Sequence, residues 1–213
     1  MHDTRQSLSA KRKLVYAHDP MCSLCWGFNS TYQDFLRALP KSIEVVRLLG
    51  GLAPDTSEPM TLDMRNYLQQ TWKKIAEIIP GTHFNHQFWT SCQPRRSTWP
   101  ACRAVIAARQ QGLEFDTAMT TAIQEGYYLH AKNPSDDTTL IGFAADLGLD
   151  ELAFAEQLNS ESTRQQLRQE IGLTRQLGVQ GFPSLVSLDG DLAKPIQISY
   201  TDAEAMLVSV KQE

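Results

Sequence analysis

Apolar residues along this chain follow two different periods. Residues 14–18 and 43–49 are short apolar runs that contain Val, Ile and Leu and have the length of buried strands. Between them, over residues 22–39, apolar positions recur at helical spacing until Pro40, which cannot continue a helix. The first part of the sequence therefore predicts a strand, a helix and a second strand.

Residues 59–178 change to a helical period almost throughout. Helices are predicted over residues 60–79, 99–111, 115–130, 136–148 and 162–177, separated by turn-forming residues. One more helix is predicted to begin after a cap at Asp150, and Ser162 with Gln165 is predicted to form a capping box for the helix over residues 162–177. The apolar stripe of the first of these helices is interpreted as core of this region, and not as a cofactor-binding face.

The end of the chain returns to strand patterns. Residues 184–188 and 195–200 are predicted as strands, and residues 202–210 as a helix with Thr201 as its cap. Asp189-Gly190 suits a hairpin turn, although the residues that follow predict a connection longer than two residues.

These elements predict an α/β fold in which a large helical insertion interrupts a smaller strand-containing unit. Residues 1–57 and 178–213 are expected to form that unit, and residues 58–177 the insertion. A chain of 213 residues is long enough to bury a full core in one domain with such an insertion.

Composition excludes several classes of function. Hydrophobic residues make up 42% and charged residues 21% of the chain, and its formal net charge is -4, which favours neither disorder nor a basic surface for nucleic acid or anionic membranes. No apolar run approaches the roughly 18 residues of a membrane span. Residues 1–13 are polar and no apolar signal segment follows them, so a cytoplasmic location is expected, without nucleic-acid or membrane partners.

Candidate chemistry lies where the first strand gives way to the first helix. Cys22 and Cys25 are three positions apart there, and a helix N-terminus favours a thiolate over a thiol. Residues at this spacing on a helix lie about 5–6 Å apart, within the range that a disulfide can close. We predict thiol–disulfide exchange with Cys22, in the first helical turn, as nucleophile and Cys25 as resolving thiol, a chemistry that requires no organic or metal cofactor.

Two motifs in this order of elements resemble the DsbA-like thiol–disulfide oxidoreductases, which have a thioredoxin fold with a helical insertion. They are Cys-Ser-Leu-Cys at residues 22–25 and Gly-Phe-Pro at residues 181–183, just before the third predicted strand. Asp-Pro-Met at residues 19–21, Gly-Gly-Leu at 50–52 and Arg-Arg-Ser at 95–97 are similar to the cytoplasmic FrnE-like branch, and the last of these has no assigned chemistry.

The resemblance implies roles for further residues. In that family a cis-proline lies against the active disulfide, and Pro183 takes this place. The backbone of Phe182 would then offer an extended substrate one more strand edge. Trp26, next to Cys25, is predicted either to line the substrate groove or to pack the first helix. The expected partners are protein or low-molecular-weight thiols and disulfides, with glutathione as one candidate.

Other interpretations stay open at this point. The cysteine pair could be structural, or half of a zinc site completed by Cys92 and Cys102, although the spacing of those two is not that of a zinc knuckle. Cys92 and Cys102 are otherwise predicted to be ordinary thiols or a second disulfide. A glutathione-dependent isomerase or transferase similar to the 2-hydroxychromene-2-carboxylate isomerases is one alternative function. A peptide-binding or chaperone module is the other.

Overall fold

In a computed structural model of the chain, residues 12–190 and 192–211 are described, without the side chain of Lys211. The strands are β1 (Lys13–His18), β2 (Glu44–Leu49), β3 (Ser184–Asp189) and β4 (Leu192–Ile196). The helices are α1 (Ser23–Ala38), α2 (Leu62–Ile78), α3 (Phe88–Ser91), α4 (Trp99–Arg109), α5 (Phe115–Tyr128), α6 (Asp137–Asp146), α7 (Glu151–Leu158), α8 (Glu161–Gln176) and α9 (Ala203–Lys211). The prediction for the polar residues 1–13 lies outside the described residues except at positions 12 and 13.

The strands form one sheet in the order β2-β1-β3-β4. β1 runs parallel to β2, so the chain must cross over between them, and α1 makes that connection. β3 is antiparallel to both β1 and β4. One face of the sheet packs against α1 and α9, where the aromatic side chains Tyr16, Phe28 and Phe35 are buried. Helix α8 packs beside β2.

Helix α4 is the centre of the helical part. From Ala101 to Ala108 its side chains are small or aliphatic except at Arg103, and they are buried almost completely, which lets α5, α7 and α8 approach closely. The helices α2–α8 all lie between β2 and β3 along the chain. This arrangement confirms the predicted fold class, a thioredoxin fold interrupted by a helical insertion. The boundaries near residues 57 and 178 remain a prediction from the sequence.

A buried ion-pair network joins the sheet to the insertion. Arg47 Nε on β2 lies 2.5 Å from Asp116 Oδ1 on α5, and Arg109 Nε on α4 lies 2.8 Å from Asp116 Oδ2. Arg109 also binds Glu170 on α8 at 2.7 Å, and the other oxygen of Glu170 accepts the backbone N–H of Leu49 at 2.9 Å. Two guanidinium groups and two carboxylates balance each other, which is the condition for burying charge.

The predicted last strand at residues 195–200 is wrong, because β4 ends at Ile196. β4 is an edge strand, which tolerates Pro195 within it. The predicted long hairpin connection is also wrong, because Asp189 pairs directly with Leu192. The residue between Gly190 and Leu192 lies outside the described residues.

Two predicted helix caps are wrong by one or two positions. Ser160, and not Ser162, caps α8, because its hydroxyl accepts the backbone N–H of Thr163 at 3.2 Å. At α9 the cap is Asp202 in place of Thr201, since the Asp202 carboxylate accepts a backbone N–H three residues along. Both errors arise because neighbouring residues have similar capping preferences.

The other predicted helices of the insertion are confirmed, with ends that shift by one or two residues. Asp150 caps α7 as predicted, and its side chain accepts the backbone N–H of Ala153 at 3.0 Å. The sequence pattern missed α3, a single turn that buries Phe88 and Trp89. Among the described residues, no helix is long and apolar enough to cross a membrane.

Candidate active site

The turn between β1 and α1 places Cys22 at the N-terminus of α1. Cys22 is the N-cap of α1, with extended backbone angles, so the prediction that it lies in the first helical turn is wrong by one position. Its backbone N–H donates to the carbonyl of Asp19 at 3.0 Å, and its own carbonyl accepts from Trp26 at 3.0 Å. Cys22 therefore lies at the N-terminus of α1, where the first backbone N–H groups have no carbonyl partner within the helix.

The two cysteines differ in their access to solvent. Cys22 is 7% exposed, whereas Cys25 has no exposed surface at all. Both are free thiols, and Cys22 Sγ donates a hydrogen bond of 3.3 Å to the backbone carbonyl of Phe182. The peptide bond between Phe182 and Pro183 is cis, so the expected cis-proline is present beside the cysteine pair. Cys22 is therefore the sulfur that an incoming molecule meets first.

Burial controls the protonation of Cys25. Loss of solvent raises the pKa of the Cys25 thiol well above its ordinary value, and the neighbouring Cys22 sulfur raises it further. The backbone of Asp19 acts in the opposite direction. In this reduced state Cys25 consequently holds its proton at neutral pH.

Asp19 is a buried carboxylate directly behind the cysteine pair. Its Oδ1 accepts the backbone N–H of Met21 at 2.8 Å, and its Oδ2 accepts the N–H of Leu52 and the hydroxyl of Thr98, each at 2.7 Å. Burial raises the pKa of Asp19, and these hydrogen bonds act against that rise. In the sequence, Asp19 belongs to the Asp-Pro-Met motif, and no role was predicted for its side chain. The sequence feature that could have indicated a role is the position of this acidic residue, between a buried strand and Cys22.

His18, the last residue of β1, is a second buried polar group, next to Asp19 in the chain. Its ring stacks on Tyr16 with centroids 4.8 Å apart, and neither ring nitrogen has a hydrogen-bond partner within residues 12–190 and 192–211. Burial lowers the pKa of His18 well below its ordinary value, and the charges of Arg47 and Arg109 lower it further. The imidazole is therefore neutral.

A cleft of about 210 Å³ opens beside Cys22. The turn before α1, Phe182, helix α2 and the segment before α4 all contribute to its walls. On α2, Leu68 and Tyr67 line the cleft, and Tyr67 is 65% exposed. The interpretation of the α2 stripe as core alone is thus only partly right: Trp72 is buried, whereas Leu62 and Tyr67 are exposed.

Trp26 does not line this cleft. It borders a separate cavity of about 530 Å³, on the side of α1 that faces Tyr200 and Glu125. Its indole N–H donates to the carbonyl of His83 at 3.0 Å, and its ring stacks on Tyr128 at 5.6 Å. These contacts place Trp26 between α1 and the insertion, and its role in substrate binding stays a prediction.

Cys92 and Cys102 lie in different surroundings. Cys92, which ends α3, donates to the carbonyl of Ala131 at 3.0 Å, whereas Cys102 on α4 is buried with its sulfur 3.5 Å from Asp19 Oδ2. Both are free thiols. Within the part of the chain that the structure describes, no group of three or more His, Cys, Asp or Glu side chains is placed to hold a metal. The proposed zinc site therefore receives no support.

A family model described as Thioredoxin matches residues 16–210. The chain belongs to the thioredoxin family. Among solved structures of similar fold, a protein from Nitrosomonas europaea, provisionally named a protein disulfide isomerase, is 26% identical with a TM-score of 0.81, and the match covers 95% of this chain and 97% of that one.

Two further proteins are similar to this thioredoxin-family chain. The cytosolic disulfide reductase DsbM from Pseudomonas aeruginosa shares the fold, with 20% identity, a TM-score of 0.76, and coverage of 94% of this chain and 97% of that one. DsbM has also been solved with GSH. The ClpXP adapter protein SpxH of Halalkalibacterium halodurans is 25% identical over 194 residues, which are 86% of this chain and 61% of that protein. The chain thus spans less than two thirds of the length of that curated relative.

Proposed function

We propose that this chain is a thiol–disulfide oxidoreductase with Cys22 as nucleophile and Cys25 as resolving thiol. The observation that carries the proposal is the contrast in access between the two sulfurs. Cys22 borders the cleft, whereas Cys25 is fully buried one helical turn behind it. A substrate disulfide in the cleft meets Cys22, and Cys25 is within the same helix to complete the exchange.

The exchange proceeds in two balanced steps. Cys22 thiolate attacks one sulfur of the substrate disulfide, the substrate S–S bond breaks, and the departing sulfur leaves as a thiolate that takes up a proton. Cys25 then loses its proton and attacks Cys22 Sγ, which releases the second substrate thiolate. The substrate gains two electrons and the enzyme gains the Cys22–Cys25 disulfide. Run in reverse, the same steps oxidise a substrate dithiol.

The surrounding residues prepare these steps. The N-terminus of α1 stabilises the Cys22 thiolate, because its free N–H groups and dipole favour negative charge. The Phe182 carbonyl, 3.3 Å from Cys22 Sγ, holds the thiol before attack. The backbone of Phe182 and Pro183 lies where an extended substrate could pair with it. Since burial raises the pKa of Cys25, that thiol must give up its proton when it attacks Cys22 Sγ in the second step.

Protein disulfides and low-molecular-weight disulfides, glutathione disulfide among them, are the proposed substrates. The named relatives support this choice, since the N. europaea protein carries a disulfide isomerase name and the DsbM structure contains GSH. The description of DsbM as cytosolic supports a cytoplasmic location for this chain. The redox chemistry proposed here uses the two sulfurs alone and calls for no added cofactor.

An equilibrium titration in glutathione buffers, with mass spectrometry to locate the bridge, tests the proposal. We expect a two-electron transition at Cys22 and Cys25. Cys22→Ser should abolish exchange, and Cys25→Ser should accumulate mixed disulfides on Cys22. Cys92→Ser is the matched control, because Cys92 lies outside the cleft, and it should behave as the wild type. Full exchange activity in Cys22→Ser would contradict the assignment.

Similarity to SpxH supports a second candidate, a protein-binding adapter in which redox chemistry is secondary. Binding of an unfolded protein, for example reduced and carboxymethylated lactalbumin, separates the two candidates. An adapter should bind it equally well in the double variant Cys22→Ser, Cys25→Ser. An enzyme that holds its substrate only through a mixed disulfide should bind this probe in neither form, because carboxymethylation leaves no thiol or disulfide on the probe to exchange.

A further inference from the structure

The cleft beside Cys22 contains two arginines that differ in their contacts. Arg95 and Arg96 both line it. Arg95 is engaged, because its Nη2 lies 2.7 Å from Asp136 Oδ1 and also donates to the carbonyl of Ser135. Arg96 is half-buried, yet it makes no hydrogen bond or ion pair within residues 12–190 and 192–211. One of the two guanidinium groups in the cleft is therefore available to a ligand.

The charge of Arg96 is not offset by the walls of the cleft. None of the described lining residues is Asp or Glu, although the chain as a whole has a formal charge of -4. Arg96 acts on Tyr127 in the same cleft: burial raises the pKa of the Tyr127 phenol, and the Arg96 charge opposes that rise. The electrostatic potential in the cleft is therefore positive near the Tyr127 phenol.

The rest of the lining limits the size and character of the ligand. Leu52, Met60, Leu68 and Trp72 present apolar surface, and Cys22 lies in the same cleft. A volume of about 210 Å³ holds a group of amino-acid size, since one water occupies roughly 30 Å³ in the liquid. A small molecule with an apolar body, a disulfide and one anionic group matches these walls.

We propose that Arg96 determines substrate specificity by binding a carboxylate of a low-molecular-weight disulfide. The inference rests on the proposed oxidoreductase function and assigns its substrate class. A guanidinium group holds a carboxylate through two parallel hydrogen bonds, which fixes orientation as well as position. With the carboxylate held at Arg96, the disulfide of the same molecule lies in the cleft with Cys22. The exchange itself is the one given above, and the carboxylate is unchanged by it.

Three small disulfides of different charge test the inference: dithiodipropionate is anionic, bis(2-hydroxyethyl) disulfide is neutral and cystamine is cationic. The measurement is the rate constant for oxidation of the reduced, full-length protein by each. Arg96→Gln should slow the reaction with dithiodipropionate by about tenfold or more, the loss expected for a hydrogen bond to a charged group. The rate with the neutral disulfide should change less than about twofold, because no carboxylate contact is lost.

Two variants serve as controls. Arg96→Lys keeps the charge but loses the paired hydrogen bonds, so it should retain an intermediate preference for the anion. Arg168→Gln removes an exposed arginine that pairs with Glu161 on α8, away from the cleft, and should leave all three rates unchanged. High salt should reduce the anion preference of the wild type but not the rate with the neutral disulfide.

The outcomes separate this inference from the proposal on which it rests. An equal loss with the neutral disulfide in Arg96→Gln would show that Arg96 acts on Cys22 or on folding, and would overturn the inference. An unchanged rate with dithiodipropionate in Arg96→Gln would also overturn the inference. If none of the three disulfides oxidised the wild-type protein, the oxidoreductase proposal would be overturned as well.

Discussion

The hydroxyl of Thr98 donates a hydrogen bond of 2.7 Å to Oδ2 of Asp19, and both side chains are buried. Thr98 begins α4, the central helix of the insertion, whereas Asp19 lies in the turn that presents Cys22. The backbone N–H of Leu52, which follows β2, donates to the same carboxylate oxygen. One carboxylate therefore holds together the turn with the cysteines, the end of β2 and the insertion.

This arrangement predicts that Asp19→Asn destabilises the protein. An amide offers one acceptor oxygen in place of two and directs its NH₂ group toward the donors, so at least one buried hydrogen bond is lost. The free energy of unfolding should fall by about 1–3 kcal/mol, measured by urea denaturation. Asp146→Asn, at the exposed C-terminal end of α6, is the control and should be close to neutral. Equal stability of the two variants would contradict the role of Asp19.

A second prediction concerns Gly50, against which the Phe182 ring packs. A Cβ at position 50 would lie 1.9 Å from Cζ of Phe182, so Gly50→Ala must displace the ring. Because the Phe182 carbonyl contacts Cys22 Sγ, disulfide exchange should slow, and the free energy of unfolding should fall by about 1–3 kcal/mol. Stopped-flow oxidation and urea denaturation measure the two effects.

Gly172→Ala is the matched control for that change. Gly172 lies in α8 with nothing within 4 Å of an added Cβ, so alanine should stabilise the helix by about 0.5–1 kcal/mol and leave exchange unchanged. Wild-type exchange rates in Gly50→Ala would show that the position of Phe182 does not matter for the reaction.

Acid should destabilise the protein through His18. The folded pKa of His18 lies below the value of 6.5 expected in the unfolded chain, so between these two values the unfolded state binds more protons. The free energy of unfolding should therefore fall as pH drops below about 6.5, by at most about 1.4 kcal/mol per pH unit.

His18→Phe removes this titration while keeping an aromatic ring against Tyr16. Urea denaturation at several pH values should show a smaller loss of stability in acid for this variant. His83→Gln changes an exposed histidine and should keep the wild-type pH dependence. The same acid slope in His18→Phe and wild type would contradict the prediction.

The two cysteines should also differ in reactivity. Iodoacetamide should label Cys22 first in the native reduced protein, since Cys25 is fully buried and its pKa is raised by that burial. Peptide mapping by mass spectrometry should find Cys25 labelled at a comparable rate only after unfolding in urea. Native labelling of both cysteines at the same rate would mean that the buried position of Cys25 does not protect it.

The sequence alone was sufficient for the features that depend on neighbouring residues. Strand and helix periods, together with Cys22 and Cys25 at a strand-to-helix turn, predicted the fold class and the candidate chemistry. Gly-Phe-Pro at residues 181–183 predicted the cis bond through a resemblance. The boundary errors, at Ser162, at Thr201 and in β4, arose where adjacent residues have nearly equal local preferences and packing makes the choice.

Only the tertiary structure decided how these residues are used. The sequence predicted different roles for Cys22 and Cys25, but the difference in burial between the two sulfurs appears only in the folded structure. Trp26 turns toward His83 and Tyr128 because the insertion packs against that face of α1. Arg96 lines the same cleft as Cys22, although the two residues lie far apart in the chain. Such contacts between distant residues leave no periodic pattern in the sequence, since they arise from the packing of whole elements.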